Sequence, residues 1–121
     1  RFIMFLLEKK IQISAAHHLP EYNGPCAQLH GHNWHLTIHC GCKDGELNDQ
    51  GMVIDFTEIK RIVNVLDHDD LNKHIENPTA ENIAEWLCEQ IPHCIIVEVE
   101  ETSGNKVIYQ HDARIRALHA D

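Results

Sequence analysis

His30-Gly-His32 puts two imidazoles two residues apart, and in an extended chain residues i and i+2 point to the same side. Both rings can then reach one ion at the zinc–nitrogen distance of about 2.0–2.1 Å. Gly31 between them lets backbone or ligand come close. Alone, the motif reads equally as a surface histidine pair. A third candidate comes from phase. His17 continues the face of Ile11, Ile13 and Ala15, whereas His18 shares its side with Gln12 and Ser14. An imidazole on an apolar face needs a partner, either a backbone carbonyl or a metal. Three convergent imidazoles leave one position open, the pattern of catalytic rather than structural zinc. His17, His30 and His32 are therefore expected to bind Zn²⁺.

Glu101 extends the inward face of Ile95, Val97 and Val99, so its carboxylate is expected in a low-dielectric place. Burying it unpaired is costly. A structural partner would satisfy it, and so would a ligand edge carrying two N–H donors in bidentate geometry. Asp67-His68 follows a predicted helix end and reads either as an ordinary acidic loop or as an oriented acid–base pair. Cys26 lies four residues before His30. A thiol beside a metal or a cationic histidine ionises readily and can act as a base, whereas one without that setting is inert.

These side chains need a scaffold. Residues 2–17 alternate as a strand, residues 19–29 form a loop marked by Pro20 and Asn23-Gly-Pro25, and residues 30–40 form a second strand. The first half of strand one, Phe2 to Leu7, is apolar on both sides. Residues 43–51 read as turn. Asp55-Phe-Thr-Glu58 has the form of a capping box, with Phe56, Ile59, Ile62, Val63 and Leu66 at helical spacing after it. Leu66 to Pro78 reads as a polar loop. Thr79 is expected to cap a second helix with Ile83, Trp86, Leu87 and Ile91 inward, stopped by Pro92. Residues 95–101 and 106–110 then form a hairpin across the 102–105 turn. The order ββααββ predicts an α+β domain spanning 1–121, a four-stranded antiparallel sheet with two helices on one face. Such a sheet keeps two long edges, which predicts pairing with other copies.

Composition narrows the functional classes. The chain has 121 residues, 43% of them apolar, and a net charge of −9 with histidine neutral. That charge argues against a phosphate-backbone binder, so no nucleic-acid partner is expected. No apolar run approaches the roughly 20 residues that cross a bilayer, so no membrane partner is expected either. The opening apolar run is too short for a secretory signal. Five cysteines (Cys26, Cys40, Cys42, Cys88 and Cys94) accordingly read as free thiols of a cytoplasmic protein, Cys40-Gly-Cys42 as small apolar groups at a strand end.

Taken in order, Ile13-Ser-Ala-Ala-His17, Cys26-Ala-Gln-Leu-His30-Gly-His32-Asn33, Leu66-Asp-His68, Pro78-Thr-Ala-Glu-Asn82 and Glu100-Glu-Thr102 resemble the 6-pyruvoyl-tetrahydropterin synthase family. The spacing of Cys26 to His30-Gly-His32 is most similar to the 6-carboxy-5,6,7,8-tetrahydropterin synthase branch of queuosine biosynthesis. The resemblance spans roughly residues 11–110, nearly the whole chain. It implies a tunnelling fold, in which trimers close a barrel of antiparallel strands and two trimers stack as a homohexamer, with active sites between subunits. It places the zinc ligands at His17, His30 and His32, the catalytic cysteine at Cys26 and the acid–base pair at Asp67 and His68. The pterin-anchoring glutamate falls at Glu101, and Thr79 and Glu81 match a segment near the pterin. His18 stands where Arg is usual and Trp34 where Tyr, Phe or Ser is usual. The implied reaction converts 7,8-dihydroneopterin triphosphate to 6-carboxytetrahydropterin, acetaldehyde and triphosphate without an external redox cofactor. The same fold making 6-pyruvoyl-tetrahydropterin is the nearest rival. A His₃-zinc hydrolase and a purely structural zinc domain are more distant ones.

Overall fold

The computed structural model describes residues 3–120; Phe2, placed in the first strand by sequence, lies outside the described residues. The chain opens with two long strands, β1 (Met4–His17) and β2 (His30–Lys43), paired antiparallel over their full length. Helices α1 (Phe56–Val63) and α2 (Ala80–Gln90) follow, then the hairpin of β3 (Cys94–Thr102) and β4 (Asn105–Gln110), and a closing helix α3 (Asp112–His119). The strands lie in the order β1-β2-β3-β4, so β1 and β4 are the sheet edges.

Alternation decides the core. Ile13, Ala15 and His17 of β1, Trp34, Leu36, Ile38 and Cys40 of β2, and Val97 and Val99 of β3 are all buried. Ile59 and Val63 of α1 and Ile83, Ala84, Leu87 and Cys88 of α2 close over them as one cluster. Period-2 strands and period-3.6 helices thus meet on their apolar faces. β2 runs three residues past the sequence reading, through Gly41. A Cβ there would stand 2.7 Å from Leu6 Cδ2 and 3.1 Å from Leu118 Cδ1, so glycine spares both side chains a shift where β1 and α3 approach.

Several sequence expectations need correction. Asp55 does cap α1, its Oδ1 accepting from the Thr57 N–H at 2.8 Å, but Glu58 does not reach back. Its carboxylate pairs with Arg61 one turn ahead. Phe56 is exposed, with the Lys9 ammonium 5.8 Å from its ring centroid. The stretch from Leu66 to Pro78 is not simply polar, because Leu71 and Ile75 enter the core. Among the described residues there are three α-helices rather than two. α3 begins where the His111 side chain accepts from the Arg114 N–H, and Arg114 holds the carbonyls of Cys88 and Cys94 at 3.0 and 2.8 Å.

Candidate metal centre and adjoining cleft

His17 and His30 stand opposite each other in the β1–β2 register, and Ala15 faces His32. The three imidazoles converge: ring centroids are 4.5 Å apart for His17–His30, 5.2 Å for His17–His32 and 4.8 Å for His30–His32. One nitrogen from each lies within 4.8 Å of the other two.

Hydrogen bonding fixes which nitrogens are free. His17 Nδ1 donates to the Pro78 carbonyl at 2.8 Å, and His30 Nδ1 donates to the Gln28 carbonyl at 2.7 Å. A carbonyl oxygen only accepts, so each Nδ1 carries a proton and each Nε2 of a neutral ring presents a lone pair. Metal-ligating histidines are oriented in this way by their second nitrogen. The Nε2 atoms of His17 and His32 are buried with no hydrogen-bond partner among the described residues, a costly state in a protein interior. Burial holds the His17 pKa below the ordinary histidine value, against the opposing pull of the Pro78 bond. The donor set, its free lone pairs and the neutral ring fit a divalent cation such as Zn²⁺. Trp34 backs the trio, its ring edge-on to His17 and His32 at 4.9 and 5.2 Å and its indole N–H donating to the Ala15 carbonyl at 3.1 Å. His18 is not part of the trio: its imidazole Nε2 lies 3.5 Å from Asn72 Nδ2, and its backbone N–H donates to Asn72 Oδ1 at 2.9 Å.

Glu101 points into the trio, with Oε1 3.5 Å from His17 Nε2 and 3.7 Å from His32 Nε2. The β3–β4 pairing slips between Glu100 and Thr102, and a bulge of this kind re-aims the side chain it carries. The carboxylate is not sunk as its phase suggested; its side chain is 34% exposed. It opens onto a cleft of about 430 Å³ whose walls include Thr79, Glu81 and Lys106. Thr79 caps α2, its Oγ1 accepting from the Asn82 N–H at 3.1 Å.

Asp67 and His68 form a pair, Nδ1 to Oδ1 at 3.1 Å, but apart from this cleft. Asp67 accepts from the Ser14 N–H at 2.9 Å, and the His68 N–H donates to the Ser14 carbonyl at 2.6 Å, stitching both onto the free edge of β1. The His68 side chain is 81% exposed, at a backbone φ of 58°, beside a separate cavity of about 570 Å³ that His32, Asn33 and Lys73 also line. Cys26 sits half-buried in the Pro25–Ala27 turn, and among the described residues no hydrogen bond links its thiol to Asp67, His68 or Glu101. The carbonyls of Pro78 and Gln28 escaped the sequence reading, since backbone groups leave no side-chain signature.

The chain is similar to known proteins. The family model described as 6-pyruvoyl tetrahydropterin synthase matches residues 6–112. The 6-carboxy-5,6,7,8-tetrahydropterin synthase of Synechocystis sp. is 32% identical over 120 residues, covering 88% of this chain and 93% of the relative. The Bacillus subtilis protein of the same name is 31% identical, covering 88% and 85%. A shorter stretch is 43% identical to the dihydroneopterin monophosphate aldolase of Pyrococcus furiosus, spanning 53% of this chain and 56% of that one. Among solved structures, 6-pyruvoyl tetrahydropterin synthase from Caenorhabditis elegans superposes with a TM-score of 0.70 at 26% identity, covering 92% of this chain and 98% of its own.

Proposed function

The chain belongs to the 6-pyruvoyl tetrahydropterin synthase family, and from that premise we propose that it is a zinc-dependent 6-carboxy-5,6,7,8-tetrahydropterin synthase of queuosine biosynthesis. The observation that carries the reading is the set of buried, unpartnered imidazole nitrogens beside Glu101 at the mouth of a cleft. The substrate is 7,8-dihydroneopterin triphosphate and the reaction a carbon–carbon lyase reaction in the cytoplasm.

His17, His30 and His32 would hold Zn²⁺, whose charge lowers the pKa of a substrate hydroxyl and stabilises developing oxyanion charge. Glu101 accepts hydrogen bonds from the amino group and ring N–H of the pterin, the bidentate geometry a carboxylate offers. Thr79 and Glu81, on the same cleft as Glu101, flank the ring. Cys26, as a thiolate, removes a proton from the side chain. His68, oriented by Asp67, relays protons to and from that carbon skeleton. Triphosphate leaves, the pterin ring is reduced by internal transfer, and one water is taken up as the side chain is cleaved, leaving a carboxyl group on the ring and releasing acetaldehyde.

Assembly brings these parts together in this reading. Phe5 and Leu6 on edge strand β1 and Ile108 on edge strand β4 are exposed apolar residues, as expected of strands that pair with neighbouring copies. Trimers stacked as a homohexamer would let Asp67 and His68 of one copy serve the histidine site of another.

A second reading is supported by the likeness to the C. elegans 6-pyruvoyl tetrahydropterin synthase: loss of triphosphate without loss of side-chain carbons. Incubation of zinc-replete protein with 7,8-dihydroneopterin triphosphate separates the two by product mass and trapped aldehyde. Carboxytetrahydropterin with equimolar acetaldehyde is the expected result. A pyruvoyl product without acetaldehyde favours the second reading, and an unchanged pterin skeleton overturns both.

A further inference from the structure

Glu101 and His17 face each other in a way that hydrogen bonding does not explain. The only proton of a neutral His17 ring is on Nδ1, committed to the Pro78 carbonyl, so Nε2 offers a lone pair. A carboxylate oxygen also offers lone pairs. Oε1 nonetheless stands 3.5 Å from that nitrogen and 3.7 Å from His32 Nε2, and neither nitrogen has a hydrogen-bond partner among the described residues. Acceptors opposed at the rim of a protein interior repel one another, and a cation between them turns the repulsion into ligation.

The distances carry the point further. Four-coordinate zinc, with bonds of about 2.0–2.2 Å to nitrogen and oxygen, holds neighbouring donor atoms about 3.3–3.6 Å apart. The Glu101 oxygen lies at or just beyond that separation from two of the three histidines. The bulge after Glu100 sets the side chain there, while its 34% exposure keeps it on the cleft that Thr79 and Lys106 help line. One carboxylate thus borders both the metal position and the ligand cleft.

We propose that Glu101 is a removable fourth ligand: without substrate it closes the coordination of the metal held by His17, His30 and His32, and a pterin edge draws it off. Gripping two N–H donors of a pterin draws both carboxylate oxygens toward the ring edge and shares their charge with it, so the two bonding modes compete. The open coordination position therefore forms as the cleft fills. This rests on the metal reading of the trio given above and adds a role for Glu101 in the resting enzyme.

Cobalt substitution tests it without turnover. Chelator-stripped protein, freed of chelator, is titrated with Co²⁺, and its visible absorption is followed before and after saturation with unsubstituted pterin, which has no side-chain hydroxyl to offer the metal. The wild type is expected to show the intense band of four-coordinate cobalt and to change on adding pterin. Glu101→Gln is expected to show a weaker band that pterin leaves unaltered, with zinc affinity about 10- to 100-fold lower. Circular dichroism of each variant confirms the fold. A Glu101→Gln protein with wild-type spectrum and zinc affinity overturns the inference while leaving the histidine site standing. A wild type that takes up no more cobalt than His17→Ala overturns the metal reading, and the inference with it.

Discussion

The Pro78 carbonyl and His17 Nδ1 meet at 2.8 Å across 61 residues of sequence, and this contact selects the nitrogen that His17 presents to the site. Thr79, the next residue, caps α2 and lines the cleft beside Glu101. A single turn thus aims the most buried ligand and shapes the neighbouring wall.

That burial has a pH signature. The folded His17 pKa lies below its ordinary value of 6.5 because of burial, so in mild acid the unfolded chain binds a proton that the folded ring refuses. Stability of metal-free protein should fall as pH drops from about 6.5 towards the folded pKa, then stop falling on this account. His17→Gln removes the titration. Urea midpoints measured for both metal-free proteins between pH 7 and pH 5 should show the flatter profile for the variant.

Cys26 is assigned the base, not the binding, role. Cys26→Ala should bind pterin with near wild-type affinity, read by fluorescence, while releasing almost no acetaldehyde from 7,8-dihydroneopterin triphosphate. A general base contributes about 10²–10⁴-fold, so turnover within threefold of wild type would remove Cys26 from that role.

Leu71 belongs to a segment that reads as polar loop, yet it is fully buried. Leu71→Ala should cost about 2–5 kcal/mol of unfolding free energy in urea, the range for a core leucine. A cost below about 0.5 kcal/mol, the surface range, would show that the segment does not pack as described.

Trp34 is 1% exposed and hydrogen-bonded to the Ala15 carbonyl behind the imidazoles. Trp34→Phe keeps an aromatic ring but loses that bond and some volume, and should cost about 1–3 kcal/mol by urea unfolding. The looser packing behind His17 and His32 should also weaken zinc retention against a chelator, whereas Trp86→Phe should not.

Much of the sheet was legible because strand alternation is a strict period of two. The same phase that put Ile13 and Ala15 inward put His17 with them, and the phase of Ile95, Val97 and Val99 put Glu101 on the site's side. How far Glu101 is buried was not legible, since the bulge beside it leaves no composition signal. α3 escaped because Leu118 is its single buried residue, too little for a periodic face. Leu71 and Ile75 are isolated apolar residues in a polar stretch, and only tertiary contact buries them. Glu58 prefers an arginine one turn ahead to the helix start, a choice that two local motifs leave open. The separation of Asp67-His68 from Glu101 lies in how the segment after α1 lays itself along the β1 edge, which no motif encodes. The roles of Thr79 and Glu81 came from resemblance alone.

Zinc content is the most direct test of the metal site. Protein purified without a histidine tag and with zinc in the growth medium should carry about one zinc per chain by elemental mass spectrometry. His17→Ala, His30→Ala and His32→Ala should each lose most of it while keeping the wild-type circular dichroism. A folded wild type holding no more zinc than these variants would contradict the convergence of three imidazoles on one ion.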